Sequence, residues 1–316
     1  MIGKLTRALR DTLHALRQVP RLADRLDGLQ REVSALREPV ESIRVHTWHA
    51  KEAALIAARD GVLATSPRYA DPRSLVRASA QAYSQNAEDG MIAEVFRRIG
   101  TTDRVFLEVG VGDGRQNNTR LLLETGWRGV WVESDPAACA AIRAGFAQAL
   151  AEGRLRLIES SATRENAAEL VATVGTDASI DFLSVDIDRN TGHVWQALGE
   201  AGLACRVACV EYNASIPPSV EWQVPYDPDA VWDGATHRFG AGLKTLEHLG
   251  RQQGLSLVGC DYLGNNAFFV ADGLLGDHFL PPFTAEHHYE PPRYSLLSHR
   301  GHPPGTPPGT PPPPGG

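Results

Sequence analysis

Residues 105–114 read Val-Phe-Leu-Glu-Val-Gly-Val-Gly-Asp-Gly, an apolar run that passes directly into glycine at every second position. The branched and aromatic residues suit a buried strand. The glycines then let the backbone bend sharply and approach a ligand with no side chain in the way. A helical stretch, Asn117–Glu124, follows. Strand, bare loop and helix in that order are the opening of an open α/β sheet, whose ligands bind in the crevice beyond the strand ends. A chain built around this segment is committed to the α/β class.

The sequence on either side carries the same alternation. Strands are predicted at Val105–Val109, Gly129–Glu133, Leu155–Glu159, Ile180–Asp186, Arg206–Tyr212, Leu255–Cys260 and Asn266–Val270, with helices at Asn117–Glu124, Ala137–Ala149, Glu165–Val174 and Leu243–Gln253. Strand, helix, strand repeated in this way predicts a parallel sheet covered on both faces. Only Asp261-Tyr262-Leu263-Gly264-Asn265 joins the last two strands. That link is too short for a crossover helix and predicts an antiparallel hairpin. A Rossmann-like parallel sheet closed by a hairpin resembles class I methyltransferases more than dehydrogenases.

The flanks differ in kind from this middle. Leu22, Leu26, Leu29, Val33, Leu36, Val40 and Ile43 alternate at spacings of four and three, the a/d pattern of a coiled-coil seam. A shorter stripe precedes it at Ile2, Leu5, Leu9, Leu13 and Leu16, and Pro20 and Pro39 predict breaks in the helix. Residues 1–66 therefore read as a broken helical, coiled-coil-like segment suited to homo-oligomerisation or to docking on a partner. Lys4, Arg7, Arg10, Arg17 and Arg21 leave attachment to an anionic membrane surface open as a weaker reading. Residues 80–280 form the catalytic domain. From Pro281 to Gly316 the chain is rich in proline and glycine, ending GHPPGTPPGTPPPPGG, and is expected to be a disordered tail.

Composition excludes some partners. A net charge of −7 gives no electrostatic ground for nucleic acid. Cys139, Cys205, Cys209 and Cys260 lack the spacing of a zinc site and suit a reducing compartment, so a cytoplasmic location is the expectation. No apolar run approaches the roughly 20 residues of a membrane span.

The spacing of the loop discriminates between cofactors. A dinucleotide fingerprint is G-x-G-x-x-G. Here Gly110, Gly112 and Gly114 give G-x-G-x-G, and Arg115 stands where the third glycine belongs. Glu108, just ahead of the loop, would repel a pyrophosphate but accept a hydrogen bond from an amino group. Glu133 ends the second strand about 20 residues on, the offset of a ribose-binding carboxylate. These residues point to S-adenosylmethionine over NAD. Gln85 and Asp89 are further candidate contacts.

Several blocks in the same order resemble the FkbM-type family of S-adenosylmethionine-dependent methyltransferases. They are YSQNAEDG (83–90), FLEVGVGDGRQNNT (106–119), GWRGVWVE (126–133), FLSVDID (182–188), VEYNAS (210–215), VPYDPDAVWDG (224–234), FGAGLKTLE (239–247) and VGCDYLGNNAFFV (258–270). The resemblance spans roughly residues 83–275. It implies the seven-stranded methyltransferase sheet and transfer of a methyl group to an oxygen, with sugars and other small hydroxylated molecules as acceptors. The stretch Arg189-Asn190-Thr191-Gly192-His193 departs from the family's glycine and Asn-Asp-type turn.

On the acceptor side, Asp186 and Asp188 close the fourth strand, and Glu211, Tyr212 and Asn213 close the fifth. Alternation along a strand predicts that each pair shares a face and that all four converge near the transferred methyl. Asp186, Asp188 and Glu211 are the candidate general bases. Asp186, Glu211 and Asn213 are an alternative Mg²⁺ set, as hard oxygen donors. His193 and His237 are weaker base candidates. The insertion from Ile216 to Arg238 carries Tyr226 and Trp232, read as acceptor-binding residues on a specificity loop. Two other readings stand beside this one: a non-catalytic cofactor-binding coiled-coil protein, and an NAD-dependent oxidoreductase.

Overall fold

The computed structural model describes residues 2–175, 180–232, 234 and 236–293, with only the backbone described over 2–24 and at 52. The chain divides into two compact units, Met1–Ala58 and Arg59–Gly316. The first lies on one helix, α1 (Ile2–Thr65), which runs through Pro20 and Pro39 without interruption. The expected breaks are therefore absent. Each proline removes a single backbone bond, and on an exposed helix water can take up the carbonyl that is freed. The side chains of the stripe from Ile2 to Leu16, and of the basic residues from Lys4 to Arg21, lie outside the described residues.

In the second unit seven strands form one sheet: β1 (Val105–Val109), β2 (Arg128–Glu133), β3 (Leu155–Glu159), β4 (Ile180–Val185), β5 (Cys205–Glu211), β6 (Leu255–Cys260) and β7 (Asn266–Ala271). Their order is β3-β2-β1-β4-β5-β7-β6. β1 to β5 pair in parallel, and β7 pairs antiparallel with both β5 and β6. The expected parallel sheet with a terminal hairpin is thus the observed Rossmann-like methyltransferase fold. The order reverses at β1, which lies between β2 and β4. A crevice opens there at the strands' carboxyl ends.

Helices cover both faces: α2 (Glu88–Ile99), α3 (Arg120–Glu124), α4 (Pro136–Gly145) and α5 (Ala147–Ala151) on one, α6 (Ala167–Val174), α7 (Thr191–Glu200) and α8 (Leu243–Gln252) on the other. Period-two alternation sorts each strand between two cores. Leu107, Val109, Val130, Val132, Leu183 and Val185 pack with Val194, Trp195 and Leu246. Phe106, Trp131, Phe182 and Phe268 pack with Met91, Ile92, Leu122 and Phe146. The parity that sends Phe106 to the second core sends Glu108 there as well, toward α3.

Part of the stretch expected as a tail from Pro281 is structured. A short helix, α9 (Ala285–His288), and the residues up to Arg293 belong to the second unit. Tyr289 donates to the Ala214 carbonyl at 2.6 Å, and the Tyr212 hydroxyl donates to that of Glu290 at 2.7 Å. The remaining Pro/Gly-rich stretch lies outside the described residues.

Asp181, wholly buried at the start of β4, ties the turn ahead of β1 to the sheet. It accepts from the Thr102 and Arg104 amides at 2.8 and 2.7 Å and faces Arg206 at 3.3 Å. Asp181→Ala is expected to lower stability by about 2–4 kcal/mol, since it orphans buried donors and a cation. The urea midpoint measures this, and an unchanged midpoint would contradict it.

Candidate functional site

The loop after β1 is fixed by backbone proximity. Gly110 donates to the Val132 carbonyl at 3.0 Å, and the Asp186 amide donates to the Val109 carbonyl at 2.9 Å. A Cβ on Gly110, whose φ is +84°, would lie 1.7 Å from the Asp186 carbonyl oxygen. No side chain fits between the two strand ends. Gly112 differs: its φ is +59°, yet an added Cβ would meet no protein atom within 4 Å. It lines a cavity of about 430 Å³ at the carboxyl edge of the sheet, within the range of small-molecule sites. Gly114 does not line the cavity. It packs under the rings of Trp131 and Phe146.

Glu108 is buried beside this loop and engaged by protein donors. Its oxygens accept from the Asn118 and Thr119 amides at 2.9 and 3.1 Å, from the Asn117 side-chain amide and from the Thr119 hydroxyl. The Thr119 oxygen also accepts from Trp131 Nε1 at 2.7 Å, and Asn118 donates to the Ser184 hydroxyl at 3.0 Å. Glu108 thus pins the approach to α3 against β1, β2 and β4. Burial raises its pKa to about 7, opposed by the hydrogen bonds from Thr119, Asn118 and Asn117. The sequence reading missed these three partners, although strand parity and the run Asn117-Asn118-Thr119 carry the signal.

Glu133 braces the loop from the other side. One oxygen accepts from the Val111 and Gly112 amides at 3.1 and 2.7 Å, the other from Ser134 and Asp135 at 2.8 Å each. It lines the cavity, as does Gln85. Asp135 caps α4 through the Ala137 and Ala138 amides. Asp89 turns inward, where one oxygen accepts from the Ala82, Tyr83 and Ser84 amides. It is therefore a buried brace and no wall residue.

The expected convergence of four acceptor-side groups is corrected in part. Asp186 and Asp188 line the cavity, and β4 ends at Val185 so that Asp188 adopts φ +57°. Glu211 sits behind them, 5% exposed, with Thr191 Oγ1 at 3.2 Å and a hydrogen bond to Asp186. Burial first, then the charges of Asp186 and Asp188, raise its pKa well above the usual carboxyl range. Asn213 is not part of the site. The chain has left the strand, and its amide donates to the His237 and Phe239 carbonyls while its oxygen accepts from Ser215. The proposed Mg²⁺ set Asp186, Glu211 and Asn213 loses a ligand by this. Among the described residues no group of three or more His, Cys, Asp or Glu is arranged to hold a metal ion.

The insertion divides likewise. Trp232 lines the cavity and packs on Phe239 with ring centroids 4.6 Å apart. Tyr226 lies off the cavity, accepting from the Arg164 amide at 3.0 Å and donating to Glu165. His193 holds the Val224 carbonyl at 2.8 Å, and burial lowers its pKa. His237 pairs with the Ser215 hydroxyl. Among the wall residues with no role in the sequence reading are Glu88 and Asn266. Glu88 is buried with its pKa raised by burial, and it accepts from Asn266 at 2.7 Å. Asn266 in turn pairs across the ladder with Glu211.

Because its folded pKa is raised, Glu108 contributes stability that is full below the unfolded value of 4.5 and is lost as pH rises through about 7. The loss is at most about 3 kcal/mol. Urea midpoints measured from pH 4.5 to 8 should fall more steeply for the natural protein than for Glu108→Gln. Parallel slopes would contradict the buried-acid assignment.

No protein-family model and no curated protein matches the chain. Among solved structures it is similar to a Klebsiella pneumoniae protein assigned as an O-methyltransferase, at 18% identity over 72% of this chain and 98% of that one, with a TM-score of 0.41. It is similar to the glycopeptide N-methyltransferase MtfA complexed with S-adenosyl-L-homocysteine, at 14% identity over 61% and 89%, TM-score 0.35. A third is an S-adenosylmethionine-dependent methyltransferase from Clostridium acetobutylicum, at 10% identity over 57% and 89%, TM-score 0.35. The first two are named as methyltransferases of oxygen and nitrogen respectively.

Proposed function

We propose that the protein is an S-adenosylmethionine-dependent O-methyltransferase of the FkbM type, acting on a hydroxyl of a sugar or another small hydroxylated molecule. The observation that carries this reading is the cavity's wall. Among the described lining residues, Glu133, Asp186 and Asp188 stand with one cation, Arg189, while Glu88 and Glu108 are carboxyls whose burial raises their pKa. Such a wall favours a sulfonium cation and disfavours a pyrophosphate. The bare tip at Gly112 and the size of the cavity fit that cofactor, which supplies an electrophilic methyl group when bound.

Gly110, Gly112 and Glu133 form the cofactor side. A ribose hydroxyl reaching Glu133 competes with the Gly112 amide for one carboxylate oxygen, so binding is coupled to the loop's position. Gln85 closes the same side, and Glu108 serves it indirectly by holding the loop. Asp186 is the general base. It takes the acceptor's proton as the oxygen attacks, since a neutral alcohol is a poor nucleophile. Glu211, held neutral behind it, donates a hydrogen bond that keeps Asp186 oriented. Asp188 and Trp232 contact the acceptor, and Tyr226 supports the insertion from outside.

The test is incubation of the purified chain with isotope-labelled S-adenosylmethionine and a panel of glycan and polyol acceptors. Label transfer to oxygen is expected. Asp186→Asn should cut turnover by roughly 10²–10⁴-fold while cofactor affinity is unchanged, whereas Glu133→Ala should weaken that affinity. Equal loss of affinity in both variants, or transfer to nitrogen only, would overturn the assignment.

A further inference from the structure

Among the described residues, α1 carries an exposed apolar stripe. Leu26, Leu29, Val33, Leu36, Val40 and Ile43 are each 57–65% exposed. At 1.5 Å per residue a 64-residue helix extends about 96 Å, and helices of this kind owe their stability to packing of their apolar face. The heptad register places Leu26, Val33 and Val40 at a and Leu22, Leu29, Leu36 and Ile43 at d. β-Branched valine at two of the three a positions, with leucine at three of the four d positions, favours two parallel strands over three or four. The seam ends after Ile43, where the a and d positions become Thr47, Ala50, Ala54 and Ala57.

The flanking charges choose the orientation. The e positions are Gln30, Arg37 and Arg44, and the g positions Arg25, Glu32, Pro39 and His46. In a parallel pair g meets the e of the partner's next heptad. Glu32 then meets Arg37 of the second copy, twice by symmetry, and no like charges meet. In an antiparallel pair e faces e, where Arg37 and Arg44 have no acid opposite. Neither Glu32 nor Arg37 makes an ion pair within its own chain among the described residues, whereas Arg44 is already bound to Glu41. The stripe and the charge pair are complementary to themselves.

We infer that residues 22–43 form a parallel, in-register two-stranded coiled coil with a second copy of this chain. Both chains leave the coil at the same end. This inference does not rest on the proposed activity.

Sedimentation of the full-length protein at micromolar concentration should give twice the 34.2 kDa chain mass. Leu29→Glu with Leu36→Glu should give a monomer whose near-ultraviolet circular dichroism is unchanged. Glu32→Arg should weaken the dimer at least tenfold, and adding Arg37→Glu should restore it. Under mild oxidation Leu36→Cys should link to itself, as a d position does only in a parallel register. A monomeric or trimeric natural protein overturns the inference, and so does a dimer that Leu36→Cys fails to cross-link.

Discussion

The architecture of the crevice depends on one contact, the Gly110 backbone against the carbonyl of Asp186. With 1.7 Å between that oxygen and any added Cβ, the ends of β1 and β4 meet only because residue 110 has no side chain. The same approach brings the bare Gly112 tip and Asp186 into the lining of one cavity. The proposed cofactor and acceptor sides share that cavity because two strand ends touch through glycine.

Around that contact two carboxyl groups are engaged by the loop and the helix start. Glu108 and Glu133 accept loop and helix-start amides from the two sides, which holds the bend in place. A buried carboxyl without such donors would be costly. Here the donors are the backbone groups that the turn leaves unpaired. Glu108 and Glu133 thus both hold the loop and line the cavity.

Much of this was legible in the sequence, and the failures have physical causes. The strands were legible because their alternation and the glycine spacing are local properties, and the hairpin because five residues cannot hold a crossover. Glu108 was misjudged because its charge was weighed against a ligand while its parity with Phe106 was not. Asn213 was placed by strand alternation beyond Glu211, where the strand has ended and the rule no longer holds. Tyr226 was not legible, since its partners Arg164 and Glu165 are about sixty residues away and only the folded insertion brings them near. Pro20 and Pro39 suggested breaks that an exposed helix tolerates.

The central claim is that a cavity walled by carboxylates around a bare glycine tip binds a sulfonium nucleoside. Calorimetric titration of the intact chain with S-adenosylmethionine, and separately with NAD⁺, tests it most directly. Saturable heat with the first and none with the second is the predicted outcome. The reverse would contradict it.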